Sequence, residues 1–328
     1  MIIINLVISV IVAVTLLLDY GNNKIFDVNH SKILKAVLPY GVILGHISAY
    51  NSQHFNIAII GSFIVGVFFF MSAYGLEFKR QNGLIKFKDI GSRLSKLLLP
   101  LLIPALLYIC VLLFQDYNAW SVILNNFYTY QFILPFTWFI IILSFFYIIF
   151  YIALSIQDIS NKKFICVVLI TICVFSIVNF ILFRETAAYT NFSSLCFPAG
   201  IFYKQHEDKI SNFLDQKYRY LIGLFFLMIT AFLSNINYLL PITILLWSIL
   251  IVMMTTMINV KGSIIIDYFS SISYEVYICQ GITFLLLPPR FDKLPCLLHI
   301  ICTFIITILI ATLCNYFTLS LKKLFKSK

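Results

Sequence analysis

Long apolar runs separated by short polar stretches set the rhythm of this chain. They fall at roughly 1–18, 33–50, 57–76, 97–115, 136–155, 164–183, 192–203, 219–234, 237–258, 268–288 and 296–319. Most approach the about 20 apolar residues that a helix needs to cross a hydrocarbon core about 30 Å thick. The runs are continuous, as in Leu221–Ser234 and Leu297–Leu313. A β-barrel strand would instead alternate apolar and polar residues over about ten positions, and a helix satisfies its own backbone within lipid. The pattern predicts an all-α, polytopic transmembrane helical bundle of about eleven spans. The run at 192–203 is short and carries Pro198 and Gly200. It predicts a broken or re-entrant helix, which lipid permits only where protein covers the freed backbone.

Composition sharpens this picture. Hydrophobic residues make up 61% of the 328, charged residues 11%, and the mean hydropathy is +0.98. Soluble domains carry about a quarter charged residues, so a water-facing surface cannot be covered here. The expected organisation is an extra N-terminal transmembrane helix over 1–20, an integral membrane domain over 30–320 and a basic tail over 321–328. The first run lacks a basic start, since the first cation is Lys24, and lacks a small-residue cleavage site. It therefore reads as a retained helix rather than a signal peptide. The eight cysteines include no C-x-x-C pair. They read as small packing residues rather than a metal or disulfide framework.

Charge fixes an orientation. The net charge is +10. With eleven spans and a cytoplasmic C-terminus, every Lys and Arg falls on the inner side except Arg184, Arg290 and Lys293. That asymmetry is the positive-inside signature of a multi-pass protein of the cell membrane.

Four stretches could carry chemistry. His46 lies deep in the second run, on the same helix as Lys35. Eleven residues make about three turns, so the two share a face, about 16 Å apart along the axis. Ionisable groups inside membrane helices mark function by default, whereas the plain alternative is a histidine bonded to a neighbouring helix. Phe68, Phe69 and Ser72 follow in the third run, among small residues that also suit close helix packing. Arg93 and Lys96, three apart and followed by Pro100, open the next run at the cytoplasmic surface. They suit a phosphate-bearing ligand or serve as an orientation signal. Ser273, Tyr277 and Gln280 recur at i, i+4 and i+7, the spacing of one helical face. They could line a polar cavity or tie helices together.

These stretches, in this order, resemble the acyltransferase-3 family of membrane acyltransferases. Lys35 and His46 stand where the family has an Arg, ten intervening residues and then a His. Phe68-Phe69-Phe70-Met71-Ser72-Ala73-Tyr74 is similar to its F-F-x-x-S-G-Y, with Ala73 for Gly. Arg93, Lys96 and Pro100 resemble its basic R-x-x-R before a proline, and Trp138-Phe139 its Trp-Phe pair. Ser273, Tyr274 and Tyr277 match its C-terminal motif, where Gln280 stands near the usual His. Lysine in place of Arg at position 35 loses bidentate geometry. A glutamine at 280 cannot exchange protons.

The resemblance implies a ten-helix core plus the added N-terminal helix, and an O-acyltransferase. The acyl donor would be cytoplasmic acetyl-coenzyme A, with no permanently bound cofactor and no metal. The acceptor would be a hydroxyl of a surface polysaccharide or lipid-linked sugar. The partners are those two substrates and membrane lipids, with no nucleic acid. His46 is the expected general base, since imidazole titrates near neutral pH. Lys35, Arg93 and Lys96 are the expected contacts to the coenzyme A phosphates. Phe68, Phe69, Ser72, Trp138, Ser273, Tyr277 and Gln280 are expected around a cavity that reaches from the cytoplasmic face and has His46 on its wall. The rival classes are a glycan or lipid transporter and a non-enzymatic membrane scaffold.

Overall fold

The second apolar run begins its helix on a local signal. Asp27 accepts the amide of His30 at 2.9 Å, and His30 Nδ1 accepts the amide of Asp27 at 3.2 Å. This reciprocal cap satisfies two orphan donors and launches α1, Val28–Tyr50. The computed structural model describes residues 25–52, 57–115, 118–128, 131–156, 160–182, 191–213, 239–256, 262–290 and 295–326. The expected helices at 1–18 and 219–234 lie outside the described residues. So do several cations of the orientation count, among them Lys24, Arg184, Lys217, Arg219, Lys261 and Lys293.

All elements among the described residues are helical, with no strand. After α1 come α2 (Ile60–Gln81), α3 (Ile90–Leu98), α4 (Leu102–Phe114), α5 (Ala119–Tyr128), α6 (Trp138–Leu154) and α7 (Asn161–Leu182). Then follow α8 (Cys196–Gln205), α9 (Glu207–Phe213), α10 (Leu240–Thr255), α11 (Ile264–Ser271), α12 (Ser273–Leu286) and α13 (Cys296–Lys326). Among the described residues, five stretches are long and apolar enough to cross a membrane: Val28–Tyr50, Ile60–Gln81, Phe87–Phe114, Asn161–Leu182 and Cys296–Ser320. Trp138–Leu154 and Leu240–Thr255 are shorter apolar helices.

Helix α2 is central and packs against α8, α10 and α1. Its apolar side chains are buried almost all round, as a core helix requires. Gly200 brings α8 close to it, because a Cβ there would lie 2.3 Å from the Phe70 carbonyl oxygen. Helix α8 is the short run expected at 192–203. Its ten residues span about 15 Å, and Cys196, Phe197, Pro198, Gly200, Ile201 and Tyr203 are buried.

Two readings from the pattern are corrected. The run at 268–288 is not one helix but breaks at Ile272 (φ −98°, ψ 2°), between α11 and α12. The Ser271 hydroxyl donates to the Tyr268 carbonyl at 2.7 Å, a local bond that competes with the helical ladder. Helix α5 has no counterpart among the apolar runs, being short and studded with Ser and Asn. It exposes Trp120, Phe127 and Tyr128 and buries Asn126. Asn126 Nδ2 donates to the Ile133 carbonyl at 2.8 Å, tying α5 to the segment before α6.

Candidate active site

A cavity of about 690 Å³ opens between α1, α2, α3, α6, α8 and α12, within the range of small-molecule sites. Aromatic side chains Phe68, Tyr74, Phe139, Tyr147 and Tyr277 line it, with the hydroxyl-bearing Ser72 and Ser273. Four cations also line it: Lys35 from α1, Lys79 from α2, Arg93 from α3 and Lys204 from α8.

These cations are not equivalent. Lys204 donates to Glu207 and lies over the rings of Tyr74 (5.4 Å) and Phe78 (5.1 Å). Glu207 in turn accepts the Tyr74 hydroxyl at 2.7 Å and the Phe26 amide at 3.3 Å. Lys35, Lys79 and Arg93 have no carboxylate partner among the described residues. Arg93 acts electrostatically on both Lys35 and Lys79. Its guanidinium lies 5.2 Å from the Tyr147 ring centroid, and its Nε is buried without a hydrogen-bond partner. Asp27, the one acidic residue in the lining, is engaged in capping α1. Like charges gathered round one cavity with an unsatisfied buried donor are held against their mutual repulsion. A bound anion would relieve both.

Of the residues singled out in the sequence, Lys35, Phe68, Ser72, Arg93, Ser273 and Tyr277 meet at this cavity. Phe69 is fully buried behind the wall, against Phe139 (4.9 Å) and Phe146 (5.0 Å). Lys96 is exposed on α3, and Trp138 is half-buried at the start of α6. Gln280 is fully buried, and neither of its amide atoms has a hydrogen-bond partner. Its i+7 position continues the Ser273–Tyr277 face, but the wall ends one turn earlier.

His46 is not on the cavity wall. It is half-buried, with the Phe136 ring centroid 4.2 Å and the Phe284 ring centroid 6.5 Å from its own. The Phe136 ring beside it comes from the segment before α6. Phe136 has φ 66°, the left-handed region, alone among the described non-glycine residues. Such a backbone costs a bulky residue on the order of 1–3 kcal/mol. The Tyr277 hydroxyl holds it by donating to the Phe136 carbonyl at 2.6 Å, and the Gln131 side chain accepts the Phe136 amide.

Lys79, Tyr74, Tyr147 and Lys204 line the cavity but were not singled out as site residues. Lys79 had a signal, since it follows Ser72 by seven residues and so shares its helical face. Lys204 had none, because only the packing of α8 on α2 brings it there.

A family model described as an acyltransferase domain, that of the acyltransferase-3 family, matches residues 31–316. No curated protein and no solved structure matches the chain.

Proposed function

This chain belongs to the acyltransferase-3 family of membrane acyltransferases, and from that membership we propose that it moves an acyl group, acetyl above all, from cytoplasmic acyl-coenzyme A to a sugar hydroxyl of a lipid-linked or surface glycan. The observation that carries this reading is the set of three cations, Lys35, Lys79 and Arg93, facing one cavity with no carboxylate partner among the described residues. Coenzyme A is a soluble polyanion with a long arm. Its phosphates suit the cations, and its arm suits the aromatic walls that lead on to Ser72 and Tyr277. The eleven-span arrangement, the cell membrane and the cytoplasmic C-terminus belong to the same proposal, supported by the cation asymmetry along the chain.

A thioester is already activated, so the protein must chiefly deprotonate the acceptor and stabilise an oxyanion. In this reading the acceptor hydroxyl gives its proton to His46 as its oxygen bonds the acyl carbon. Negative charge develops on the former carbonyl oxygen, where a hydroxyl such as that of Ser72 or Ser273 can donate. The C–S bond then breaks, and the imidazolium returns the proton to the leaving thiolate.

Purified protein in lipid nanodiscs, supplied with acetyl-coenzyme A and a lipid-linked glycan, tests this. Release of coenzyme A thiol that depends on the acceptor is expected. Failure to bind acetyl-coenzyme A overturns the reading and returns the transporter and scaffold classes.

A further inference from the structure

We propose that Phe136 is a movable partition between the cavity and His46, closed in this structure and opened by release of its left-handed backbone; the proposal rests on the reading of His46 as the base. Its ring lies against the imidazole, with centroids 4.2 Å apart. Its carbonyl accepts the hydroxyl of Tyr277, a residue of the cavity wall, at 2.6 Å. Its amide is held by the Gln131 side chain. One residue therefore touches the base through its ring and the cavity wall through its backbone.

The backbone state makes the contact switchable. A phenylalanine at φ 66° is rare, and such a conformation persists only while its surroundings hold it. Here Tyr277 and Gln131 hold Phe136 itself, while the Thr137 hydroxyl ties the turn to the Phe132 amide and the Leu134 carbonyl. Tyr277 also faces the space that a bound donor would fill, so occupancy of the cavity reaches the turn directly.

The chemistry gives the partition a purpose. A base that met a bound thioester before the acceptor arrived would activate water. Water oxygen would bond the acyl carbon, the C–S bond would break, and the thiol would leave with a proton. The acyl group would be lost as the free acid. Excluding water until the reactants are in place suppresses that side reaction.

The test uses the full-length protein in nanodiscs as wild type, Phe136→Ala and Phe136→Leu. Two quantities are read: the ratio of acetyl-coenzyme A hydrolysis to transfer, and the rate at which diethyl pyrocarbonate modifies His46, followed by mass spectrometry. Phe136→Ala should raise the hydrolysis-to-transfer ratio by about tenfold, since water exclusion is lost, and should speed modification of His46. Phe136→Leu, which keeps the bulk, should restore both towards wild type. Hydrolysis and transfer falling in the same proportion, or an unchanged rate of His46 modification, overturns the partition. The modification rate does not depend on turnover. If wild type fails to use acetyl-coenzyme A, the proposed function fails on that result, and the partition is still decided by the modification rates.

Discussion

Replacing Arg93 with alanine should raise the KM for acetyl-coenzyme A by about 10- to 100-fold while leaving the fold intact. The magnitude follows from the environment of the guanidinium. It sits at the cavity beside Lys35 and Lys79 without a carboxylate, and its Nε lacks any partner. In the free protein Arg93 therefore contributes little to stability, and its removal relieves repulsion on two lysines. With phosphate bound, a charged hydrogen bond contributes about 1.5–3 kcal/mol net. At about 1.4 kcal/mol per factor of ten, loss of one such bond weakens donor binding by one to two orders of magnitude. The assay is initial-rate thiol release across a donor titration, run at low and at raised salt. The mutant should lose part of the salt dependence of KM, because one screened charge pair has gone. Thermal unfolding should shift little. An unchanged donor KM with normal salt dependence would refute the assignment and leave Arg93 an orientation signal. A large drop in melting temperature would show that the guanidinium is structural instead.

Four other outcomes are expected. His46→Ala should lower kcat by at least about 100-fold, the usual scale for a general base, with donor binding retained; near-normal turnover in a well-folded variant would dismiss the imidazole from the chemistry. Glu207→Ala strips partners from Lys204, Tyr74 and the Phe26 amide, so it should destabilise by about 3 kcal/mol, read as a lowered melting temperature; no shift would mean that this cluster does not tie the start of α1 to α2 and α8. Gln280→Leu removes two buried unsatisfied amide atoms and should stabilise by about 1–2 kcal/mol; a loss of stability would mean that the amide has a partner in the membrane. Gly200→Ala drives a methyl to 2.3 Å from the Phe70 carbonyl oxygen and should cost about 1–3 kcal/mol; a neutral effect would show that α8 and α2 part easily.

The helical architecture was legible in the sequence because lipid leaves one solution to a long apolar run. The second, third and last runs each contain a membrane-length helix, and the short run at 192–203 is the short buried helix α8. The break at Ile272 was not legible, since no change in hydropathy and no Pro or Gly marks it. The lining of the cavity was legible in part. Lys35, Ser72, Arg93, Ser273 and Tyr277 meet at one cavity although they come from four helices. The pattern failed at Gln280, because helical spacing fixes a direction round the axis but not where along it a cavity ends. It failed again at His46. A shared face with Lys35 says nothing about a phenylalanine from a distant turn, and only tertiary packing places Phe136 over the imidazole. Lys204 was invisible for the same reason.

The cluster at Glu207 also bears on how the protein is made. It accepts the amide of Phe26, 181 positions earlier in the chain, and the Tyr74 hydroxyl bridges to the Phe26 carbonyl at 2.7 Å. The start of α1 is thus fastened by a carboxylate that leaves the ribosome long after it. At about 5–20 residues per second, that delay is about 10–40 s. During this interval α1 and α2 are already made, while the carboxylate that joins Phe26 and Tyr74 is not. A nascent chain halted before position 207 would lack the fastening altogether. It would carry the marks of an unfinished protein, an untethered α1 and a basic cavity without its carboxylate, open to proteases and chaperones.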